Sequence, residues 1–496
     1  MRALMCTFRF AVLATLLVFA LHTQAATLTV NDAGDNGLGN CASTCTLRDA
    51  IAASASGGTV AFAPGLASPI TLSQGALSIN KTLTIQGPGA AKLTISAGNA
   101  SQIFVVSAQA SISGLTLADG YITGTAGSNG AGGTGGSLGV PGGPGGTGDP
   151  GGLAGGACVQ VANTGALVLD HVAVRHCIAH GGPAGNAGNG GSGNLDPTDP
   201  ALLSAGGAGG NGGAGGDATG GAILVYGSLS LLNSSVVDGQ AYGGAGGAGG
   251  AGGIGSTGGS PTFAASGVSG AGGAASGGAV FVAAGSLRIS NSTLASGSGT
   301  GGKGGAGVTT TSDVTFGGAG GAASGGLIRA DASAVLADLE FSTLAGGQVV
   351  GGSGGNGIAP PRDGPPGTFS GNAISAGSTI TVLSSVVVDV QPGVSMCNGF
   401  VTAASGSVNL DEDGSCGFSL QGTFAQLFHP LDVNTTPWPG YLPLYHSAVI
   451  NAAATCQDLA AQTVSVDQHD TPRPQGANCD LGAIEADYLF ADGFGG

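Results

Sequence analysis

Gly165-Ala-Leu-Val-Leu-Asp-His-Val-Ala-Val-Arg-His-Cys-Ile-Ala-His-Gly-Gly182 decides the fold, because the chain writes it more than once. It aligns without a gap on Gly227-Ser-Leu-Ser-Leu-Leu-Asn-Ser-Ser-Val-Val-Asp-Gly-Gln-Ala-Tyr-Gly-Gly244 and on Gly285-Ser-Leu-Arg-Ile-Ser-Asn-Ser-Thr-Leu-Ala-Ser-Gly-Ser-Gly-Thr-Gly-Gly302. Weaker copies end at Gly124 and Gly352, and another occupies Ser378 to Val390. A repeated unit that cannot bury its own apolar face must stack on its neighbours, which makes a solenoid. About five or six apolar side chains per coil would contribute roughly 1.5–3 kcal/mol each. Ordering some twenty residues costs more, at about 1–2 kcal/mol apiece for the backbone. One coil alone should not fold.

Upstream of the block the chain alternates with period two: Leu77 and Ile79, Leu83 and Ile85, Leu93 and Ile95, Ile103 and Val105, Leu115 and Leu117. Asn-Lys, Gly-Pro-Gly and Gly-Asn turns separate these short strands. No helical periodicity lies between them. The expected class is all-β, a right-handed parallel β-helix over 76–390, with an N-terminal cap over 26–75 and a small C-terminal cap over 391–486. Asn233, Asn291, Ser384 and His171 share one block position. A side-chain amide at a coil corner can bond the next coil's backbone. The same asparagines lie in Asn-Ser-Ser and Asn-Ser-Thr glycosylation sequons, a competing reading that the repeat position makes unnecessary.

Glycine tracts separate the blocks, at roughly Ala126–Gly156, Gly181–Gly221, Gly243–Gly278, Gly301–Gly326 and Gly351–Gly371. Each leaves and re-enters at one place in the block, so they are excursions from one corner of successive coils. Two states are open to them. Glycine loses most entropy on ordering, which favours flexible loops. Gly243 to Gly250 nevertheless repeats with period three, as an extended three-fold helix would. Triplets that break often, with sparse proline, argue against collagen.

Arg2 and Arg9, the apolar stretch Phe10–Leu21 and the small-residue site Thr23-Gln-Ala25 read as a secretory signal over 1–25. No stretch is long enough for a transmembrane helix. Cleavage would remove two arginines and move the formal charge from −16 to −18. A chain this acidic is not expected to bind nucleic acid or anionic membrane non-specifically. Beyond Val388 there are twelve acidic residues against one base, Arg473.

Without Cys6 an even eight cysteines remain, in sequence neighbours: Cys41 with Cys45, Cys158 with Cys177, Cys397 with Cys416, Cys456 with Cys479. An exported chain favours disulfides. The last three spacings are about one coil, so each bridge could staple adjacent rungs; mixed pairings and free thiols stay open. None of the spacings makes a zinc site.

Three stretches resemble known families. Cys41-Ala-Ser-Thr-Cys45-Thr-Leu-Arg48-Asp49-Ala-Ile51, after Leu28-Thr-Val-Asn-Asp, resembles the CSLREA motif that opens many secreted bacterial β-helix proteins, with Asp49 for the usual Glu. Leu47, Ala50 and Ile51 can share one face of a short helix over the open end of the first coil, with Arg48 and Asp49 at its rim. The Gly-Gly-Ala openings at Gly155, Gly220 and Gly277 resemble repeats of polymorphic outer-membrane proteins, without their Phe-x-x-Asn. His446-Ser-Ala-Val-Ile-Asn451 through Asp467-Gln468, Arg473-Pro474 and Cys479-Asp480-Leu-Gly482-Ala-Ile-Glu485 resembles a choice-of-anchor region, although His469-Asp470 stands where Arg-Gly is usual. The ending Phe490-Ala-Asp-Gly-Phe494, in the tail 487–496, is similar to a tail on exported proteins of some Gram-negative bacteria. These resemblances imply a secreted or cell-surface bacterial protein with a pectate-lyase-like solenoid, and no reaction.

The densest polar cluster is Asp170, His171, Arg175 and His176, with His180 beyond. Alternation puts Val172 and Val174 inside and leaves His171, Ala173 and Arg175 outward. A base, an acid and a cation on one face could serve β-elimination or hydrolysis of a sugar polymer. The block equivalents of Asp170, Arg175 and His176 are Leu232, Val237 and Asp238, and no second acidic partner is evident on neighbouring coils. Asp411-Glu-Asp413-Gly-Ser matches part of a calcium loop without its remaining ligands, so an exposed acidic turn is the favoured reading and calcium the alternative. The many Gly-x-Gly-x-x-Gly matches follow no strand-to-helix pattern and are compositional.

Two functional classes remain. One is a non-catalytic solenoid for adhesion or surface contact, its partner an extracellular polysaccharide or cell-surface component and the chain a monomer. The other is a polysaccharide lyase or glycoside hydrolase on the same scaffold, expected to bring carboxylates and a base together in one groove. A third reading, ordered glycine helices as a flat ice- or surface-binding face, is opposed by few regularly spaced threonines.

Overall fold

The computed structural model describes residues 26–194, 203–257, 260–308, 315–357, 362–388, 393–431 and 439–486. The signal stretch 1–25 and the tail 487–496 lie outside them. One coil runs Val159–Val161, Ala166–Asp170, a corner at His171, then Ala173–His180. After the excursion, the short strand Ala218–Thr219 leads into the next coil at Ile223–Val225. The strands of the coils pair in parallel with their equivalents one coil on, in sheets of sixteen, thirteen and five strands. The chain is a right-handed parallel β-helix, the hand that crossovers between parallel strands take.

The copied block fixes the register. Leu167 stands beside Leu229, which stands beside Leu287. Val174, Val236 and Leu294 likewise stack. These aliphatics and their equivalents Leu169, Leu231 and Ile289 are buried, each sealing the coil above and below. Upstream, one pair reads a residue out of step: the strand Phe104–Val106 buries Phe104 and Val106 and turns Val105 outward. Ile103, just before it, is also buried, which hid the register in the sequence.

At the corner the prediction of an asparagine ladder needs correction. His171, Asn233, Asn291, Phe341 and Ser384 all take left-handed φ, between 43° and 53°. Asn233 Nδ2, however, bonds the Asp170 carboxylate, and Asn291 Nδ2 bonds the Val466 carbonyl of the C-terminal segment. The next residue makes the ladder instead. Ser234, Ser292, Ser342 and Ser385 are fully buried, and each Oγ accepts a backbone N–H from the preceding coil: Val172, Ser234, Ser292 and Ser342 in turn. Each hydroxyl donates to a carbonyl two residues back in its own coil. Ser292→Ala would orphan the buried Ser234 N–H, so a loss of about 1–3 kcal/mol is expected in chemical denaturation.

The helix Leu47–Ala53 closes the N-terminal end, burying Leu47, Ala50 and Ile51. Asp49 is not at the rim. It is buried, and its carboxylate accepts from Gly39 N–H, Thr46 N–H and the Thr46 hydroxyl as half of a capping box. Arg48 stays at the edge, paired with Asp35 at 2.9 Å.

The glycine tracts are ordered. Each excursion travels out as one extended three-fold helix and back as another, giving ten helices in two layers. Within the outgoing layer the bonds recur at every third residue: Gly127, Gly130 and Gly133 donate to Pro183, Asn186 and Asn189. Between layers Gly182, Gly185, Gly188 and Gly191 donate to Gly152, Asp149, Gly146 and Gly143. Such a helix has no internal hydrogen bonds, so two of every three N–H groups are satisfied sideways. Those two positions are mostly glycine, with Asp149, Ala184, Ala187 and Ala264 among the exceptions, because a Cβ on the glycines there overlaps a neighbour's carbonyl.

The third position points outward and accepts side chains. Pro144, Pro150 and Pro183 occupy it, where no N–H is needed. Asn129, Asn186, Asn189 and Asn211 use it to accept the outward N–H of the next helix. An antiparallel hairpin, Ile254–Thr257 with Ser260–Phe263, forms the tip of the third excursion.

All four cysteine pairs are disulfides, Cys41–Cys45, Cys158–Cys177, Cys397–Cys416 and Cys456–Cys479. They do not staple adjacent rungs. Cys158–Cys177 and Cys397–Cys416 join the start and end of a single coil, because the chain travels around the solenoid between them. The ladders also run past Val390, through Cys397–Ala403, Leu410–Asp411 and Leu420–Gln421. The chain then turns back along the flank and lays residues 439–486 over the corner column, burying Tyr441, Val449 and Leu481, together with Leu427 and Phe428 before them, in one cluster with Phe341, Val386 and Leu410.

Candidate functional site

The polar cluster foreseen at Asp170–His176 sits where this returning segment ends. His171 occupies the left-handed corner of the second excursion-bearing coil, so its ring projects from the turn between two sheets. Its Nδ1 lies 2.9 Å from Asp170 Oδ1, and its Nε2 lies 3.1 Å from Asp470 Oδ1 on the returning segment. Asp170 also accepts from Asn233 Nδ2. The Asp170 hydrogen bond, working against partial burial and helped by Asp470, raises His171 to about 9. The same hydrogen bond from His171 holds Asp170 below its usual range, against burial and with help from Asn233.

His176 forms a second station. It lies in a left-handed kink of Ala173–His180, and the same kink recurs at Asp119 and Asp238 on the coils to either side. The imidazole is therefore bracketed by carboxylates, Asp119 at 3.6 Å from Nδ1 and Asp238 at 3.7 Å from Nε2. Asp119 is steadied by Ser96 Oγ. Because the two carboxylates face opposite ends of one ring, no single point lies within coordination reach of all three. Among the described residues no cluster of His, Cys, Asp or Glu is suited to a metal ion.

Arg175 lies between the stations, half-buried, with its Nε enclosed and without a partner. Ala173, expected to face out, is buried. Tyr441 packs close enough that Asp238, after burial itself, raises its phenol. His180 stands at the foot of the glycine bundle, stacked on Tyr242 with ring centroids 5.6 Å apart.

Neighbouring coils thus do hold acidic partners, contrary to the reading of the sequence. In a parallel solenoid a block equivalent is a spatial neighbour, so Asp238, the equivalent of His176, was the missing partner. Asp119 occupies the same position in the weak copy ending at Gly124. Asp470 carried no such signal.

The acidic turn Asp411–Asp413 also differs from expectation. Asp411 is buried rather than exposed: one oxygen accepts from Cys416 N–H and the other is enclosed without a partner. Burial chiefly, opposed by the Cys416 bond, raises its pKa. Asp413 accepts from Met396 N–H, Ser415 N–H and the Ser415 hydroxyl. These carboxylates organise the loop around the Cys397–Cys416 bridge.

At neutral pH His171 is a cation clasping two carboxylates, which is poor preparation for a general base. A raised histidine contributes its full stabilisation below about 6.5 and loses it as pH climbs through about 9. Asp170→Asn should therefore bring the His171 transition in an NMR titration down toward neutrality, and Asp470→Asn should lower it by less; an unmoved transition in Asp470→Asn would show that Asp170 alone sets it.

No protein-family model matches the chain, and no curated protein matches it. Among solved structures, the crystal structure of pectate lyase Pel9A is similar, with 12% identical residues and a TM-score of 0.30 over 93% of this chain and 96% of that one. A likeness at that level carries nothing about activity.

Proposed function

We propose that the chain is an exported, non-catalytic β-solenoid that acts by contact with an extracellular polysaccharide or cell-surface component. The observation that carries this reading is the glycine bundle. Ten helices bonded sideways form a stiff plate, held at its foot by the coils, whose outward positions project in regular rows on two broad faces. Pro144, Thr147, Pro150 and Leu153 form one such row, and Pro183, Asn186, Asn189 and Ser192 another. A plate built at this entropic cost suits presentation of surface better than turnover. The four disulfides suit an oxidising compartment. No helix among the described residues is long and apolar enough to cross a membrane.

A second reading rests on His176. Asp119 and Asp238 stand two coils apart, about 9.6 Å at the usual strand spacing. Their carboxylates approach the His176 ring from opposite ends, so the column offers a base with two acids at its sides, while the imidazole fills the gap that an inverting glycosidase keeps for sugar and water. The two classes separate in one experiment: the mature chain is mixed with a polysaccharide panel, with and without calcium, and both retention and chain cleavage are followed. Retention without cleavage is expected. Cleavage that disappears in His171→Ala or His176→Ala would establish the enzyme instead.

A further inference from the structure

The outer face of the sixteen-stranded sheet carries a depression of about 230 Å³ spanning four coils. Strands Leu83–Gln86, Gln109–Ser113, Ala166–Asp170 and Ser228–Leu232 form its floor, so its shape follows from the register. Thr84, Ser111, Val168 and Ser230 stand in one outward column, one per coil. Gln109, Ala166 and Ser228 form a parallel column beside it. Small side chains leave the hollow. The next residue along the column, Arg288, lies outside the lining, with its guanidinium bound to Glu340 and Asp458 at 2.8 and 2.9 Å.

Two features of the lining identify an occupant. It contains no ionisable group, on a chain of formal charge −16 that repels polyanions. Among the described residues, the side chains of Thr84, Gln109, Ser111 and Ser230 make no hydrogen bond within the chain, while Ser228 is bonded by Ser286. The hollow therefore offers free hydroxyl and amide groups at both ends of an apolar centre, Ala166 and Val168. Coils recur about every 4.8 Å, close to the rise of one pyranose along an extended β-linked chain. A sugar ring has the matching pattern, with hydroxyls at its edge and C–H groups on its faces.

We propose that this trough binds an uncharged, extended β-linked polysaccharide laid along the solenoid axis, one sugar per coil. Its hydroxyls bond Thr84, Gln109, Ser111 and Ser230, and one ring lies over Val168. This deepens the surface-contact reading by naming the ligand class, yet it can fail separately.

The test measures binding of the mature chain to hydroxyethyl cellulose, dextran and polygalacturonate by affinity electrophoresis, beside retention on whole cells or insoluble matrix. Hydroxyethyl cellulose alone is expected to bind. The double variant Ser111→Ile/Ser230→Ile fills the trough with strand-favouring side chains and should weaken that binding at least tenfold, with thermal unfolding unchanged. Should the double variant fail to fold, Ser230→Ile alone carries the measurement. Absence of neutral-glucan binding, equal binding by the variant, or preference for polygalacturonate each overturns the trough. Retention on cells that survives those outcomes leaves the wider reading standing, and its absence removes that too.

Discussion

Gly247→Ala is expected to cost about 3 kcal/mol, while Ala248→Ser beside it changes stability by less than about 0.5 kcal/mol. A Cβ on Gly247 would overlap the Gly185 carbonyl oxygen of the adjacent helix. Gly247 N–H donates to the Gly213 carbonyl, and its own carbonyl accepts from Gly270 N–H, the counterpart of Gly213 on the next returning helix. To admit one methyl group, three helices on two excursions must separate and several such bonds must lengthen. Ala248 already points outward, with its N–H held by Asn186 Oδ1, so a hydroxyl there meets water. The readout is guanidinium denaturation together with hydrogen exchange of the tract amides. Gly247→Ala should strip protection from the neighbouring helices while the β-helix amides stay protected. Equal behaviour of the two variants would show that the tracts do not pack as helices in solution.

Arg473→Met is expected to destabilise the chain by about 3–5 kcal/mol, because it leaves a buried carboxylate without its cation. Arg473 and Glu485 are both shielded from water and lie 2.8 Å apart. The guanidinium also donates to the Asp480 and Gly482 carbonyls and rests 5.0 Å above the Phe341 ring. Glu485 accepts from Gln475 and Asp480 N–H, and Asp467 accepts from Glu485 N–H. Burial raises Glu485 and lowers Arg473, so lost hydration outweighs their mutual attraction. The network gives physical meaning to the residues Asp467, Arg473, Asp480 and Glu485 singled out in the sequence: they close a polar core that docks the returning segment. Denaturation should accordingly show loss of that segment first, reported by proteolysis within 439–486. Wild-type stability in Arg473→Met would refute this account.

Much of the scaffold was legible because a solenoid translates sequence into space linearly. Leu167, Leu229 and Leu287 share a block position and therefore share a stack. The same rule could have found the Asp119–His176–Asp238 column, had equivalence been read as adjacency. The serine ladder was missed because Ser234, Ser292, Ser342 and Ser385 look like ordinary turn residues, while the asparagines beside them look like ladder formers. The period of three in Gly243–Gly250 left two states open, since an isolated glycine helix has nothing to bond to. Only the alignment of five excursions, ten helices side by side, supplies the partners.

What the amino-acid order determined by itself was the repeat, the inward faces and the corner, since each follows from local alternation copied at fixed positions. The tertiary structure alone decided where residues 439–486 lie. Their folding back brings Asp470 to His171 across 299 positions, and no local pattern encodes a meeting made by chain reversal. It also decided that the tracts are solid, because hydrogen bonds between helices exist only once the coils have set those helices side by side.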